Sequence, residues 1–156
     1  MKLDRLIKDI SKIDTADIIS EWLWLFENQK QVVLVSSIGD MFLENSDNAI
    51  YWLDIGMAEL TCVAENLTEF KTLLSDEISI NNWFLPGLVD QLIDEGKILK
   101  HNEVYSFKKP PILGGDFSPN NFDTTDISVH FSIWGHLHRQ IWDARDGTNI
   151  NEVILK

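Results

Sequence analysis

The hydrophobic positions near the N-terminus follow helical spacing. Apolar residues between positions 3 and 13 recur every three or four residues, with charged residues between them, and this pattern predicts an amphipathic helix. Asp14 or Thr15 can cap a second helix, whose apolar stripe continues to Phe26. Residues 1–30 are therefore predicted to form a helical N-terminal segment.

After this segment the pattern of hydrophobic residues becomes one that is typical of strands. Residues 32–35 form a short β-branched run, as expected of a buried strand. Residues 40–43 and 49–53 flank a loop of turn-forming residues, which predicts a β-hairpin. Residues 59–63 are the next predicted strand, so this part of the chain is expected to form a β-meander.

Helical signals return in the middle of the chain. Asn66 and Glu69 have the spacing of a capping box, and apolar residues follow at helical intervals, which predicts the start of a helix. A further helix is predicted to begin around residues 81–86. Pro86 would lie near its first turn and Gly96 at its end.

The remaining elements are predicted to be strands. Residues 104–107 are a strand candidate, and residues 126–142 are the longest stretch with β character, in which Gly135 would introduce a kink or bulge. Residues 153–155 are a candidate last strand. The order of elements favours a single α+β domain over residues 1–156, with a mostly antiparallel β-sheet and N-terminal and mid-chain helices packed on it.

The charge of the chain is strongly negative and unevenly distributed. The formal net charge is −12, and residues 40–103 hold 13 acidic and three basic side chains, a net charge of −10. Such a field repels phosphate backbones, which disfavours direct binding of nucleic acid. It would attract a basic protein partner, although acidic surfaces also keep proteins soluble.

The signals for cellular compartment favour the cytoplasm. The single cysteine, Cys62, cannot form an internal disulfide, and its apolar neighbours predict that it is buried in the core. No apolar run approaches the roughly 20 residues of a membrane span. Residues 1–10 are charged throughout and lack the apolar centre of a signal peptide.

Three side chains of the stretch 126–142 are the strongest candidates for a site. On a strand, Trp134, His136 and His138 would share one face. His136 and His138 could bind one metal ion, but no motif supplies the further ligands that zinc requires. As an exposed group, the three would suit a partner-binding surface. Packing in the core or in a second layer is the remaining alternative.

Other patterns give no indication of an active site. The acidic pairs 76–77 and 94–95 are adjacent in sequence, and neighbouring helical residues point in different directions. The segment 114–116 lacks the phosphate-loop pattern. The sequence therefore predicts a non-enzymatic protein-binding module with no catalytic residue, cofactor or metal. The alternative is a small metal-dependent enzyme or metal-binding protein that uses His136 and His138.

Four segments resemble a known family when they are taken together and in order. They are Gly39-Asp-Met-Phe-Leu43, Tyr51-Trp-Leu-Asp-Ile-Gly56, Lys109-Pro-Pro-Ile-Leu-Gly-Gly-Asp116 and Val129-His-Phe-Ser-Ile-Trp-Gly135. They are similar to the family named for the C-terminal domain of a type VI secretion immunity protein of the Tdi type, which often accompanies a GAD-like module. The resemblance covers residues 38–142. His136 departs from it, because the family pattern has glutamine at that place.

This resemblance implies antitoxin-like binding, since the name-giving members look like cognate inhibitors of DNA-degrading effectors. It implies no catalytic residues. The residues that match its motifs are expected to be scaffold: Gly39, Gly56, Gly114 and Gly115 for backbone geometry, and Trp52 and Phe131 for the core. The expected partner is a basic toxin domain, with which the negative charge of residues 40–103 agrees.

Overall fold

The chain folds into five helices and two small antiparallel sheets within the residues that the structure, a computed structural model, describes, which are 3–28 and 30–145. The helices are α1 (Thr15–Ile19), α2 (Leu67–Leu73), α3 (Glu77–Phe84), α4 (Pro86–Asp94) and α5 (Ile127–Ala144). The strands are β1 (Lys30–Val35), β2 (Met41–Asn45), β3 (Ile50–Asp54), β4 (Glu59–Ala64), β5 (Glu103–Phe107) and β6 (Phe122–Asp126).

The larger sheet is an antiparallel meander in the order β1-β2-β3-β4, and β5 pairs with β6 in a second sheet. The predicted hairpin is confirmed as β2 and β3, whose register places Phe42 opposite Trp52. The predicted strand over residues 104–107 is confirmed as β5. Antiparallel sheets with helices packed on them confirm the predicted α+β class.

Aromatic packing joins the mid-chain helices to the large sheet. The Phe42 ring of β2 lies 5.1 Å from the Phe70 ring of α2 and 5.2 Å from the Trp83 ring of α3, measured between centroids. The Phe84 ring of α3 lies 5.8 Å from the Phe42 ring. Such pairs stabilise a core beyond the area that they bury, so helices α2 and α3 are fixed to the face of the sheet that carries Phe42.

Side-chain caps begin these helices. The Asn66 Oδ1 atom accepts from the Glu69 amide at 2.9 Å, as the capping pattern predicts, but the Glu69 carboxylate accepts from the Glu65 amide and not from that of Asn66. Pro86 is confirmed in the first turn of α4. Leu85, which joins α3 to α4, adopts the left-handed conformation with φ of 48°.

The helix predicted over residues 3–13 is wrong. Backbone groups of this segment bond instead to the end of β1: the Lys8 amide donates to the Val35 carbonyl, and the Ser37 amide donates to the Leu6 carbonyl, both at 2.9 Å. The buried Leu6 side chain joins the core. The apolar spacing therefore reflects the packing of an irregular segment with turns at residues 4–6 and 11–12, and the first helix is the short α1.

The strand predicted over residues 126–142 is also wrong, because residues Ile127–Ala144 form helix α5. The Asp126 carboxylate caps this helix by accepting from the Val129 amide at 3.1 Å. Helix α5 continues through Gly135. A Cβ atom there would lie 2.7 Å from the Glu21 carbonyl oxygen and 2.9 Å from Trp22 Nε1. Glycine therefore allows α5 to contact the 3₁₀ segment that follows α1.

Two predictions at single positions have different outcomes. Cys62 is exposed, so the prediction that it is buried is wrong. The reason is that β4 is an edge strand with three of its six residues exposed. Phe131 is fully buried, which confirms its predicted place in the core.

The ends of the chain leave two predictions open. The candidate strand over residues 153–155 lies outside the described residues. That residues 1–156 form a single domain stays a prediction. Across residues 3–28 and 30–145, no helix has the length and apolar character needed to cross a membrane.

Candidate partner-binding site

The buried face of α5 is polar. His130, Trp134 and His138 are four residues apart and lie on one side of the helix, with exposed fractions of 1%, 9% and 2%. A buried imidazole or indole N–H group is costly unless it is hydrogen-bonded. The partners of these three side chains therefore decide whether this face is scaffold or site.

A series of hydrogen bonds through Ser106 satisfies the polar atoms of Trp134 and His130. Trp134 Nε1 donates to Ser106 Oγ at 2.8 Å. His130 Nδ1 lies 2.7 Å from the same hydroxyl, and His130 Nε2 lies 2.7 Å from the Gly39 carbonyl oxygen. Because a carbonyl only accepts, Nε2 carries the proton and Nδ1 accepts from Ser106. Burial lowers the pKa of His130 to about 4, so the neutral ring fits this series of hydrogen bonds at neutral pH.

His138 attaches α5 to the loop after β3. Its Nε2 atom donates to the Ile55 carbonyl oxygen at 2.7 Å, and its ring lies 5.7 Å from that of Trp22. Burial lowers the pKa of His138 as well. The buried polar side chains of α5 thus join this helix to β5, to Gly39 just before β2 and to Ile55 just after β3.

The proposed surface of Trp134, His136 and His138 depended on strand geometry, which the structure contradicts. Trp134 and His138 are buried, while His136 is exposed and its Nε2 atom lies 2.9 Å from the Gln140 amide nitrogen. The alternative of core packing accounts for the two buried side chains. A partner contact through His136 stays a prediction.

The same geometry removes the basis of the metal site. Two residues apart on a helix, His136 and His138 point in different directions, and the second already donates to a carbonyl. Nowhere in residues 3–28 and 30–145 do three or more His, Cys, Asp or Glu side chains come together as metal ligands.

Exposed carboxylates cover the helical layer formed by α2, α3 and α4, which is called the acidic layer below. Its segment, residues 65–95, contains seven acidic side chains and one basic side chain. All seven acidic side chains are exposed. They are Glu65, Glu69, Asp76, Glu77, Asp90, Asp94 and Glu95. Asp90 forms an ion pair with Arg5 at 2.6 Å. Sequence analysis found this charge but could not place it on one layer.

A small cleft lies at the end of the large sheet and was missed by sequence analysis. Asp40, Trp52 and Asp54 line it from the sheet, and Leu85 and Phe117 line it from the other side. Its volume is about 80 Å³. No local motif signals the cleft, because its walls come from segments that are distant in sequence.

The Asp40 carboxyl is the most perturbed acid of this cleft. Its two oxygens accept from Trp52 Nε1 at 3.1 Å and from the Ile55 amide at 3.0 Å. Burial, together with the neighbouring Asp54 carboxylate, raises the pKa of Asp40 to about 8. Burial also raises the pKa of Asp54. Burial therefore disfavours the charged form of both acids.

Fold and surfaces together define an acidic α+β protein with a charged helical layer and a carboxyl-lined cleft. Residues 64–138 match the family model described as T6SS immunity protein Tdi1, C-terminal. The resemblance stated from the sequence is thereby confirmed. The matched segment contains the acidic layer and most of α5, while two of the four motif segments, residues 39–43 and 51–56, precede it.

One solved structure shows the same fold. The crystal structure of Atu4351 from Agrobacterium tumefaciens matches with a TM-score of 0.50 and 18% sequence identity, over 78% of this chain and 62% of that chain. The chain therefore spans less than two thirds of the length of that protein, and the likeness shows the fold alone. No curated protein matches the chain.

Proposed function

We propose that this chain is an immunity protein that neutralises a cognate toxin by binding it directly, without enzymatic activity of its own. The observation that carries the proposal is the match of residues 64–138 to a family of type VI secretion immunity proteins. An immunity protein of this kind acts where its toxin acts. For a toxin that degrades DNA, as the resemblance implies, that compartment is the bacterial cytoplasm.

The charge of the surface supports a basic toxin domain as the partner. The acidic layer concentrates exposed carboxylates on α2, α3 and α4, and complementary charge accelerates encounter and selects partners. A domain that binds nucleic acid carries a basic surface. This chain would cover that surface, and its own negative charge disfavours direct contact with nucleic acid.

The structure gives the metal-dependent alternative less support than binding. That alternative needed His136 and His138 on one accessible face, but the first is exposed on α5 and the second is buried against Ile55. A protein-binding function needs no convergent catalytic groups. It needs an accessible surface with suitable charge, which the acidic layer provides.

Isothermal titration with a catalytically inactive form of the toxin encoded beside this gene tests the proposal. In the variant D94K/E95K the acidic layer loses charge near the C-terminus of α4, where lysine is tolerated by the helix dipole. The control variant E27K/D143K makes the same charge change at exposed positions elsewhere. We expect wild-type protein and control to bind, and the layer variant to bind at least tenfold more weakly.

Two results would contradict the proposal at different levels. If wild-type protein gives no heat of binding with a neighbouring toxin of proven toxicity, direct neutralisation of that toxin is wrong. If wild-type protein binds but both double variants weaken binding equally, direct binding stands and the acidic layer is not the contact surface.

A further inference from the structure

We infer that the cleft at the end of the large sheet binds an arginine side chain of the protein partner. The guanidinium group would lie between the carboxyl groups of Asp40 and Asp54 and the aromatic rings of Trp52 and Phe117. The inference rests on the proposed function for the identity of the partner. The chemistry of the cleft can be tested without that partner.

The carboxyl groups provide the first argument. Asp54 is the charged neighbour that acts on Asp40. Within the described part of the chain, no basic side chain forms an ion pair with Asp40 or Asp54. Removing ionised acids from water without an opposite charge is unfavourable, and the raised pKa of Asp40 reflects this cost. A cation supplied from outside would favour the charged form of both carboxyl groups.

Size provides the second argument. The cleft volume of about 80 Å³ is several times the ~10–15 Å³ that one water needs by the same kind of measure. Small-molecule and cofactor sites usually measure about 300–1,000 Å³. The cleft is therefore of the size for the end of one side chain and is too small for a cofactor.

The walls provide the third argument and favour arginine over lysine. Trp52 is half-buried and lines the cleft, and its ring is stacked with that of Phe42 at 6.4 Å between centroids. Phe117 is 52% exposed at the rim, in edge contact with Phe107. A planar guanidinium stacks on aromatic rings and matches carboxylates with two parallel hydrogen bonds, whereas an ammonium is a strongly hydrated point charge.

The position of the cleft agrees with a role in partner binding. Leu85 and Phe117, which also line it, lie within the matched segment 64–138, whereas Asp40 and Asp54 precede that segment. Leu85 also joins α3 to α4 in the acidic layer. A partner that covers this layer would therefore reach the cleft with an adjacent side chain.

A titration with N-acetyl-L-argininamide, followed by ¹H–¹⁵N NMR, tests the chemistry of the cleft. Trp52 Nε1 donates to Asp40, so its indole resonance, assigned with W52F, reports directly on the carboxyl. We expect saturable shifts with a millimolar dissociation constant, at least tenfold weaker binding in D54N, and unchanged binding in E59Q, which removes an equal charge outside the cleft.

The neutral probe N-acetyl-L-glutaminamide and the lysine analogue N-acetyl-L-lysinamide are the controls. No saturable shift of the Trp52 resonance with the arginine probe would overturn the inference. So would an equal response to the neutral probe, or a lysine response as strong as that to arginine.

Binding of the inactive toxin to the same variants separates this inference from the proposed function. We expect D54N to weaken toxin binding at least tenfold more than E59Q does, with F117L intermediate. If wild-type protein binds the toxin and D54N binds like E59Q, the cleft does not receive the partner while the immunity proposal stands. If wild-type protein binds the arginine probe but no toxin, the proposed function fails and the arginine site remains.

Discussion

Two buried polar regions meet at Gly39 and Asp40, and they differ in the kind of group that faces each buried side chain. On one side, His130 donates to the Gly39 carbonyl and accepts from Ser106, so each group has a partner. On the other side, Asp40 faces a second acid, Asp54. Burial alone therefore does not distinguish scaffold from site. The neighbour does, because His130 meets neutral hydrogen-bond partners whereas Asp40 meets a second acid.

The largest expected effect comes from the contact between these regions. In Gly39→Ala, the new Cβ atom would overlap the His130 ring at a backbone φ of +85°. We expect the free energy of unfolding to fall by about 3–5 kcal/mol through backbone strain and overpacking. Gly96→Ala is the matched control, because Gly96 has the same φ and open space around its Cβ position.

Urea unfolding of both variants measures this difference. Gly96→Ala should lose only about 1 kcal/mol, from the left-handed conformation alone. Equal losses in the two variants would show that the His130 ring does not limit the size of the side chain at position 39.

The histidines of α5 provide the next comparison. His138→Ala removes the bond to the Ile55 carbonyl and the contact with Trp22, so we expect a loss of about 2–4 kcal/mol in unfolding free energy. His136→Ala changes an exposed side chain and should stay within ~0.5 kcal/mol of wild type. The same urea measurement tests both, and a larger loss at His136 would contradict the orientation of α5.

The carboxyl-lined cleft predicts a loss of stability as the pH rises. Because the pKa of Asp40 is raised to about 8, the folded chain keeps a proton that the unfolded chain releases near pH 4. The stabilisation that this proton provides is fully present below pH 4. It is lost as the pH rises toward 8, by at most ~1.4 kcal/mol of unfolding free energy per pH unit. Unfolding free energies measured from pH 6.5 to 8, above the range in which His130 acts in the opposite direction, should show this slope.

The variant Asp40→Asn should remove that slope, whereas Glu44→Gln on the same strand should retain it. Comparison of slopes cancels any constant effect of the substitution on the fold. If wild-type protein and Asp40→Asn have parallel profiles, the Asp40 carboxyl does not hold its proton in the folded state.

For the buried histidine of α5 we expect the opposite dependence of stability on pH, over a narrower pH range. The pKa of His130 is lowered to about 4, so its contribution is present above the unfolded value of ~6.5 and is lost as the pH falls toward 4. His130→Gln should remove this acid-dependent loss, while His136→Gln should keep it. Urea unfolding between pH 4.5 and 7 distinguishes them, and identical profiles would argue against a neutral buried His130.

The parts of the fold that could be predicted are those with local signals. The β2–β3 hairpin follows from two short strands around a turn, and the start of α2 follows from the Asn66 cap. The stretch that became α5 satisfied two periods at once. Its alternating residues suggest a strand, but His130, Trp134 and His138 also recur at four-residue intervals. Its length of 18 residues and the Asp126 cap favour the helix,.

The site could not be predicted for a different reason. His130 depends on partners 24 and 91 residues away in the chain, and the cleft joins Asp54 to Phe117. Such contacts are fixed by tertiary packing and leave no periodic pattern in the sequence. The motif around residues 129–135 therefore indicated a family, while the structure was needed to show that its histidine belongs to the scaffold.

Growth rescue tests the central claim of direct immunity most directly. The toxin encoded beside this gene is expressed in a test bacterium, with wild-type protein or with the double variant D94K/E95K produced at equal levels. We predict that wild-type protein restores growth and co-purifies with the toxin, and that the variant rescues less. Continued growth arrest despite soluble wild-type protein and a toxin of proven activity would contradict the account.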